Sequence, residues 1–378
     1  MMTISGRLTV LVYFAIVLSP VLLLGHDGPW LGPGDISIRE RAPFPKKLAP
    51  GAFEIFDQWF ADHIGLRDPL IFLGTEFHVG ALQRPLDRHI VFGRDGWMFW
   101  TDDAEVEPAT MADSRGKLRF SPAETRRIGV ALRALHDRLA ACGIPGALFI
   151  APNKQSIYGE HLVNAGAGAL PSRLDVLLEA LDELARSMII DGRPALRRAK
   201  EAYGSELLYN KTETHWNDLG AYYGYAAIMA GLARTTAVPD PERMSLDNYN
   251  MIVEPYPGGD MATRVLFSPW RFPDADVALV PKQQISEPVQ VDRVHFIQRN
   301  PNGVGRLVLF GDSFAIKLAP FLAQHFAEVH RYVADYFDGS IVARHRPDAV
   351  IFEMVERHAE RLLPPPVGLS HMCDESEK

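Results

Sequence analysis

The chain has 378 residues, 47% hydrophobic and 23% charged, with 20 Phe and 6 Trp. That is enough apolar material for one large domain or two ordinary ones, and it excludes a disordered chain. The formal charge of −8 comes with no clustered basic face, which speaks against nucleic acid as a partner.

The first predicted element is the uncharged run "LTVLVYFAIVLSPVLLLG" (8–25), apolar on all sides and with no small-x-small cleavage pattern after it. It reads as an uncleaved signal anchor or signal peptide over 1–25, at the inner membrane with the body on the periplasmic side. Residues 26–50, with prolines at 29, 33, 43, 45 and 50, read as an extended tether. The body, 51–363, opens with apolar residues at helical spacing over 53–72. A hairpin-like pair of short apolar runs follows around Gly93-Arg94-Asp95-Gly96.

Ser121, Pro122 and Glu124 mark the capped start of a helix that runs to Gly143 and leads into a buried strand over 145–151. Helices over 171–188 and 194–203 and strands over 306–311 and 347–354 continue the alternation. The expected fold is therefore an α/β layered domain with a mainly parallel central sheet. Residues 235–302, rich in proline and poor in periodic runs, read as an irregular insertion, and 364–378 as a disordered tail. Two cysteines are too few for a disulfide framework. Cys142 and Cys373 could pair in an exported chain, but Cys373 sits in a polar tail, so both read as structural or inert.

Two stretches can carry chemistry. "RLVLFGDSFAIKL" (306–318) places Ser313 where a strand's carboxyl end gives way to a helix, the usual position of active groups in an open α/β sheet. The helix start offers N–H groups to a developing oxyanion, although a capped turn would look the same. A serine hydroxyl needs a base. "YNKTETHWNDLGAYYGY" (209–225) offers one: in an extended segment Glu213 and His215 share a face, with Thr214 facing away. A carboxylate can then hold the imidazole tautomer that takes a serine's proton. Asn217 or Asp218 caps the next helix. No His/Cys/Asp/Glu set has metal-ligand spacing, so neither a metal nor another cofactor is expected.

T-E-T-H-W-N before a helix, followed later by a strand ending in G-D-S-F, resembles the alginate O-acetyltransferase family of SGNH-hydrolase-like proteins, the AlgJ/AlgX-like group. The similarity extends to "FDQWFADHIGLRDPLI", "VFGRDGWMFW", "PNKQSIYGEHL", "PGGDMATRV" and "IFEMVERHAERLL", from about residue 40 to 363. The resemblance implies Ser313 as nucleophile and His215 as base, with Glu213 where the family usually has Asp. Asp312 and Asp260 are reserve carboxylates. Asn153 is the candidate side-chain oxyanion donor. Lys154, Tyr158 and Arg357 could face the cleft, and Trp216 could form a sugar-stacking wall. The activity implied is acetyl transfer to an exported polysaccharide, with a multipass membrane O-acyltransferase as donor. A carbohydrate acetylesterase and a non-catalytic polysaccharide-binding assembly protein are the rival readings.

Overall fold

The computed structural model describes residues 4–26, 31, 42–45, 51–101, 109–163, 170–204, 208–233, 245–283 and 285–373. The chain divides into two compact units, one of residues 1–88 and 260–273, the other of 89–259 and 274–378.

The first unit holds α1 (Ile4–Leu22), α2 (Ala52–His63) and α3 (Arg67–Thr75), with helical turns at Glu76–Ala81 and Met261–Val265. The helix expected over 53–72 is broken in two. Leu66 takes the left-handed conformation at φ 57°, and Gly65 lies so close to the Leu23 main chain that a side chain there would collide with it. The run expected as an anchor is helical only as far as Leu22 and contains Pro20. Beyond it the Gly25 N–H donates to the His63 carbonyl at 2.8 Å, tying the segment back onto α2. Among the described residues no helix is long and apolar enough to cross a membrane, so the expected anchor finds no support here. Most of the expected tether lies outside the described residues.

The second unit is built on a seven-stranded sheet. Its strands are β3 (Gly146–Ala151), β4 (Ile189–Asp191), β7 (Val289–Gln290), β8 (His295–Arg299), β9 (Arg306–Gly311), β10 (Glu328–Val333) and β11 (Ala349–Val355), in the order β4-β3-β11-β9-β10-β8-β7. The five from β4 to β10 are parallel, while β8 and β7 are added antiparallel at one edge, so the sheet is mixed. β1 (Ile90–Phe92) and β2 (Met98–Trp100) form the expected hairpin, and β5 (Tyr249–Tyr256) pairs with β6 (Asp274–Pro281).

Helices cover both faces: α4 (Ala109–Ser114), α5 (Pro122–Ala141), α6 (Lys154–Tyr158), α7 (Arg173–Ala180), α8 (Glu183–Ser187), α9 (Arg193–Tyr203), α10 (Asp218–Leu232), α11 (Ala315–Leu322) and α12 (Gly339–His345). The central strands alternate between two apolar cores. Leu307, Leu309 and Ile351 join Trp216, Tyr225 and Phe314 on one side, while Val308, Phe310 and Phe352 join Leu132, Leu177 and Val342 on the other. Burial on both faces is why these strands read as unbroken apolar runs. Ser121 and Glu124 close the expected capping box of α5. The single helix expected over 171–188 is instead α7 and α8, because Asp182 turns out to accept from the Ala185 N–H and start a new helix.

Two further expectations need correction. Residues 235–302 are not irregular throughout, since they supply β5, β6, β7 and β8; their alternating patterns are hidden because β5 is exposed along most of its length. The C-terminal segment is packed as far as it is described. Val367 bridges to Asp338, Arg138 donates to the Leu369 and Ser370 carbonyls at 2.7 Å, and Cys373 forms a disulfide with Cys142, across 231 residues. The bridge joins the end of α5 to the last described turn, a proximity that spacing in the sequence does not disclose.

Candidate active site

Ser313 lies just beyond the carboxyl end of β9, before α11, with an exposed side chain. Gly311 does not serve a left-handed turn. A Cβ there would come within 2.5 Å of Glu353 Oε2, so the glycine makes room for a buried carboxyl group that accepts the Asp312 N–H at 3.1 Å. Asp312 in turn accepts from Phe314 N–H at 2.9 Å and Val355 N–H at 3.0 Å, bracing the turn that carries Ser313. Burial pushes the Asp312 carboxyl up. The His358 ring, 3.6 Å away, and the bonds from the two main-chain amides, with Arg357 nearby, outweigh it and hold the group below its ordinary range. Burial pushes the fully enclosed Glu353 well above its range, and the Asp312 charge adds to the effect. Asp312 is a structural brace; the other reserve carboxylate, Asp260, belongs to the first unit.

His215 Nε2 is 2.7 Å from Ser313 Oγ, and its Nδ1 is 2.8 Å from Glu213 Oε1. The carboxylate can only accept, so Nδ1 carries the proton and Nε2 is left to accept from the serine hydroxyl. The local geometry differs from the extended segment expected. Residues 211–215 form a loop closed by a bridge between Tyr209 and Trp216, and Thr214 does not face away, since its Oγ1 is 3.0 Å from His215 Nδ1. The loop is held from outside: Asp274 accepts from Thr212 N–H and Oγ1–H at 2.8 and 2.7 Å, and Gly259 N–H donates to Thr212 Oγ1 at 2.7 Å. Asn217 Oδ1 caps α10 by accepting from Gly220 N–H, fixing the loop to a buried helix.

A cavity of about 250 Å³ opens onto these three side chains, and Asn210, Tyr256, Asp276, Ile316 and Lys317 also line it. Tyr256 donates to Glu213 Oε2 at 3.4 Å, Asn210 donates to Asp276 at 2.9 Å, and Lys317 pairs with Asp218 at 2.6 Å. Sequence reading missed all five. Lys317 carried a signal, being one helical turn beyond Ser313, whereas Tyr256 and Asp276 reach the site through pairing of β5 with β6.

Four of the other expected residues do not line this cavity. Asn153 is buried, its N–H donates to Glu356 and its Oδ1 accepts from Arg357 N–H at 3.3 Å, which ties the ends of β3 and β11 together. The buried Lys154 ammonium donates to the Met98 and Lys211 carbonyls, at 3.0 and 2.9 Å. Tyr158 stacks on Trp97, and its hydroxyl accepts from Leu208 N–H. Arg357 lies over the ring of Phe314, the residue after Ser313, 5.5 Å from its centre. Trp216 borders the cavity but is fully buried between Phe149 and Phe314, which removes it as a sugar-stacking wall.

A serine at the tip of a central parallel strand, in a mixed sheet covered by helices on both faces, places this unit among SGNH-hydrolase-like α/β proteins. Residues 90–354 match the family described as SGNH hydrolase-like domain, acetyltransferase AlgX, and the chain belongs to that family. It is 30% identical over 151 residues to the "Probable alginate O-acetylase AlgJ" of Pseudomonas aeruginosa, a match covering 39% of this chain and 32% of that protein's length. Among solved structures it is similar to Bacillus cereus PatB1, with a TM-score of 0.51 and 14% identity over 73% of this chain and 99% of that one. The O-acetyltransferase domain of Pseudomonas putida AlgJ aligns with 21% identity and a TM-score of 0.44, over 76% and 95% of the two chains.

Proposed function

We propose that this chain is an O-acetyltransferase that acetylates hydroxyls of an exported polysaccharide, alginate or a related exopolysaccharide, through Ser313, His215 and Glu213. The observation that carries the reading is the 2.7 Å approach of His215 Nε2 to Ser313 Oγ with Glu213 at 2.8 Å on the opposite nitrogen. His215 takes the Oγ proton as the oxygen attacks the acetyl carbonyl. The tetrahedral intermediate collapses to acetyl-Ser313, and the donor's leaving group departs with the proton from His215. A sugar hydroxyl then gives its proton to His215 and attacks the acetyl carbon, and Ser313 Oγ recovers the proton as it leaves. The Ser313 N–H, which meets no acceptor among the described residues, is positioned at the strand tip to bond the oxyanion.

The Cys142–Cys373 bridge supports a location outside the reducing cytoplasm, on the periplasmic side. Acetyl-CoA is not at hand there, so the donor in this reading is a membrane O-acyltransferase that passes acetyl across. The test supplies purified protein with a chromogenic acetyl ester, with and without an oligosaccharide acceptor. Acetylated oligosaccharide, abolished by Ser313→Ala, supports transfer. Acetate released equally in both tubes makes the chain an esterase, and no turnover with either leaves only a binding protein.

A further inference from the structure

Three histidines far apart in the sequence meet on the sheet face opposite α11. In the pairing of β8 with β10, His295 lies directly across from Tyr332, and His330 lies two residues along β10 on the same face. His345, in the last turn of α12, packs over them, its ring centre 4.1 Å from that of His330. His295 Nε2 is 3.0 Å from His330 Nδ1, and one ring nitrogen of each histidine lies within 4.8 Å of those of the other two. His295 and His330 are buried and His345 is half-buried.

We propose that His295, His330 and His345 form a binding site for one borderline divalent transition-metal ion, Zn²⁺ by its ligand chemistry. Three imidazoles are the donor set this class of ion prefers. Tetrahedral bonds of about 2.0–2.1 Å separate ligand atoms by roughly 3.4 Å, so the cluster needs to tighten by little more than a side-chain adjustment. The surroundings supply two further features of such sites. Glu328 Oε2 is 3.4 Å from His330 Nε2, so it can accept that nitrogen's proton and leave Nδ1 as the ligand, a carboxylate–imidazole–metal arrangement. The Tyr332 hydroxyl, 2.6 Å from His345 Nε2, brings an oxygen beside the cluster.

Burial pushes all three imidazoles down in pKa; Arg344 and Arg306 add to this, taking His345 to about 4, while Glu328 opposes it at His330 and Asp292 at His295. Metal binding requires the neutral imidazole, the form that this lowering favours. Arg299, Arg306 and Arg344 oppose a dication, while Glu328 and Asp292 offset them. Spacing in the sequence conceals the site because its members come from two strands and a helix.

The test strips the full-length protein with a chelator and titrates ZnCl₂ against a chromogenic competitor. One equivalent is expected in the wild type, unchanged in His215→Ala, and at least about 10-fold weaker in His330→Gln. Glu328→Gln should weaken it by about 10- to 100-fold, as loss of an outer partner does. His345→Asn, altered at a half-exposed helix end, gives the same reading should His330→Gln fail to fold. Co²⁺ should show tetrahedral d–d absorption in the wild type and lose it in these histidine variants. Absence of stoichiometric binding, binding unaffected by His330→Gln and His345→Asn, or binding lost in His215→Ala alone overturns the site.

Discussion

Replacing Glu213 by Gln keeps the side chain's size but removes the charge that faces His215 Nδ1. The bond lost is charge-assisted and 2.8 Å long, between side chains only 27% and 18% exposed, so solvent screens it weakly. A hydrogen bond to a charged group contributes about 1.5–3 kcal/mol. If that stabilisation applies to the imidazolium formed in the transition state, kcat falls by about 10- to 150-fold at ~1.4 kcal/mol per factor of ten. The amide can also turn its NH₂ toward Nδ1 and favour the wrong tautomer, which in a buried triad costs about 10⁴-fold, so the lower figure is a floor. The assay is the chromophore burst from an acetyl ester, which reads acylation of Ser313 directly, with circular dichroism to show an intact fold. A folded Glu213→Gln protein acylating within about twofold of wild type would refute the assignment of Glu213 to the relay.

Gly259→Ala places a Cβ 2.5 Å from the Glu213 Cα and N and from the Thr212 carbonyl. It should lower esterase turnover by more than about tenfold while the far-ultraviolet spectrum holds, since backbone cannot yield as a side-chain tip can. Glu353, with its pKa raised by burial in the folded state, contributes stability below its unfolded value near 4.3, and this is lost as pH rises toward the folded value. Glu353→Gln should therefore match wild type in denaturant midpoint near pH 4 and exceed it increasingly toward pH 8. Equal midpoints at both pH values would contradict a neutral Glu353. Cys142→Ser should lower unfolding free energy by about 2–4 kcal/mol in urea titrations, and a reductant should do the same to wild type.

How much of this could be read in advance depended on where the cause lay. The α5 cap, the central strands and the α10 cap are local, written in a few adjacent residues, and Ser121, Leu307–Phe310 and Asn217 announced them. The family resemblance rested on motifs of the same kind. The loop carrying Glu213 and His215 takes its shape from Asp274 and Gly259, which are distant in sequence, so an extended segment was the natural but incorrect expectation. Lys154 and Tyr158 seemed poised for a cleft because a strand exit is polar there. Their actual partners, Met98, Lys211 and Leu208, come from other elements. The β5–β6 pair escaped notice because an exposed ribbon lacks the alternation that a half-buried strand displays.

The middle position among the five parallel strands belongs to β11, flanked by β3 on one side and β9 on the other, although β11 is the last of the described strands to be synthesised. Until residues 349–355 leave the ribosome, the earlier strands can form only two separate halves with open edges between them. The keystone arrives late, so folding is non-local and slow, and shortened translation products lack the piece that brings the halves together. Truncation before residue 349 thereby leaves β9, the strand that carries Ser313 at its tip, without its neighbour on one side.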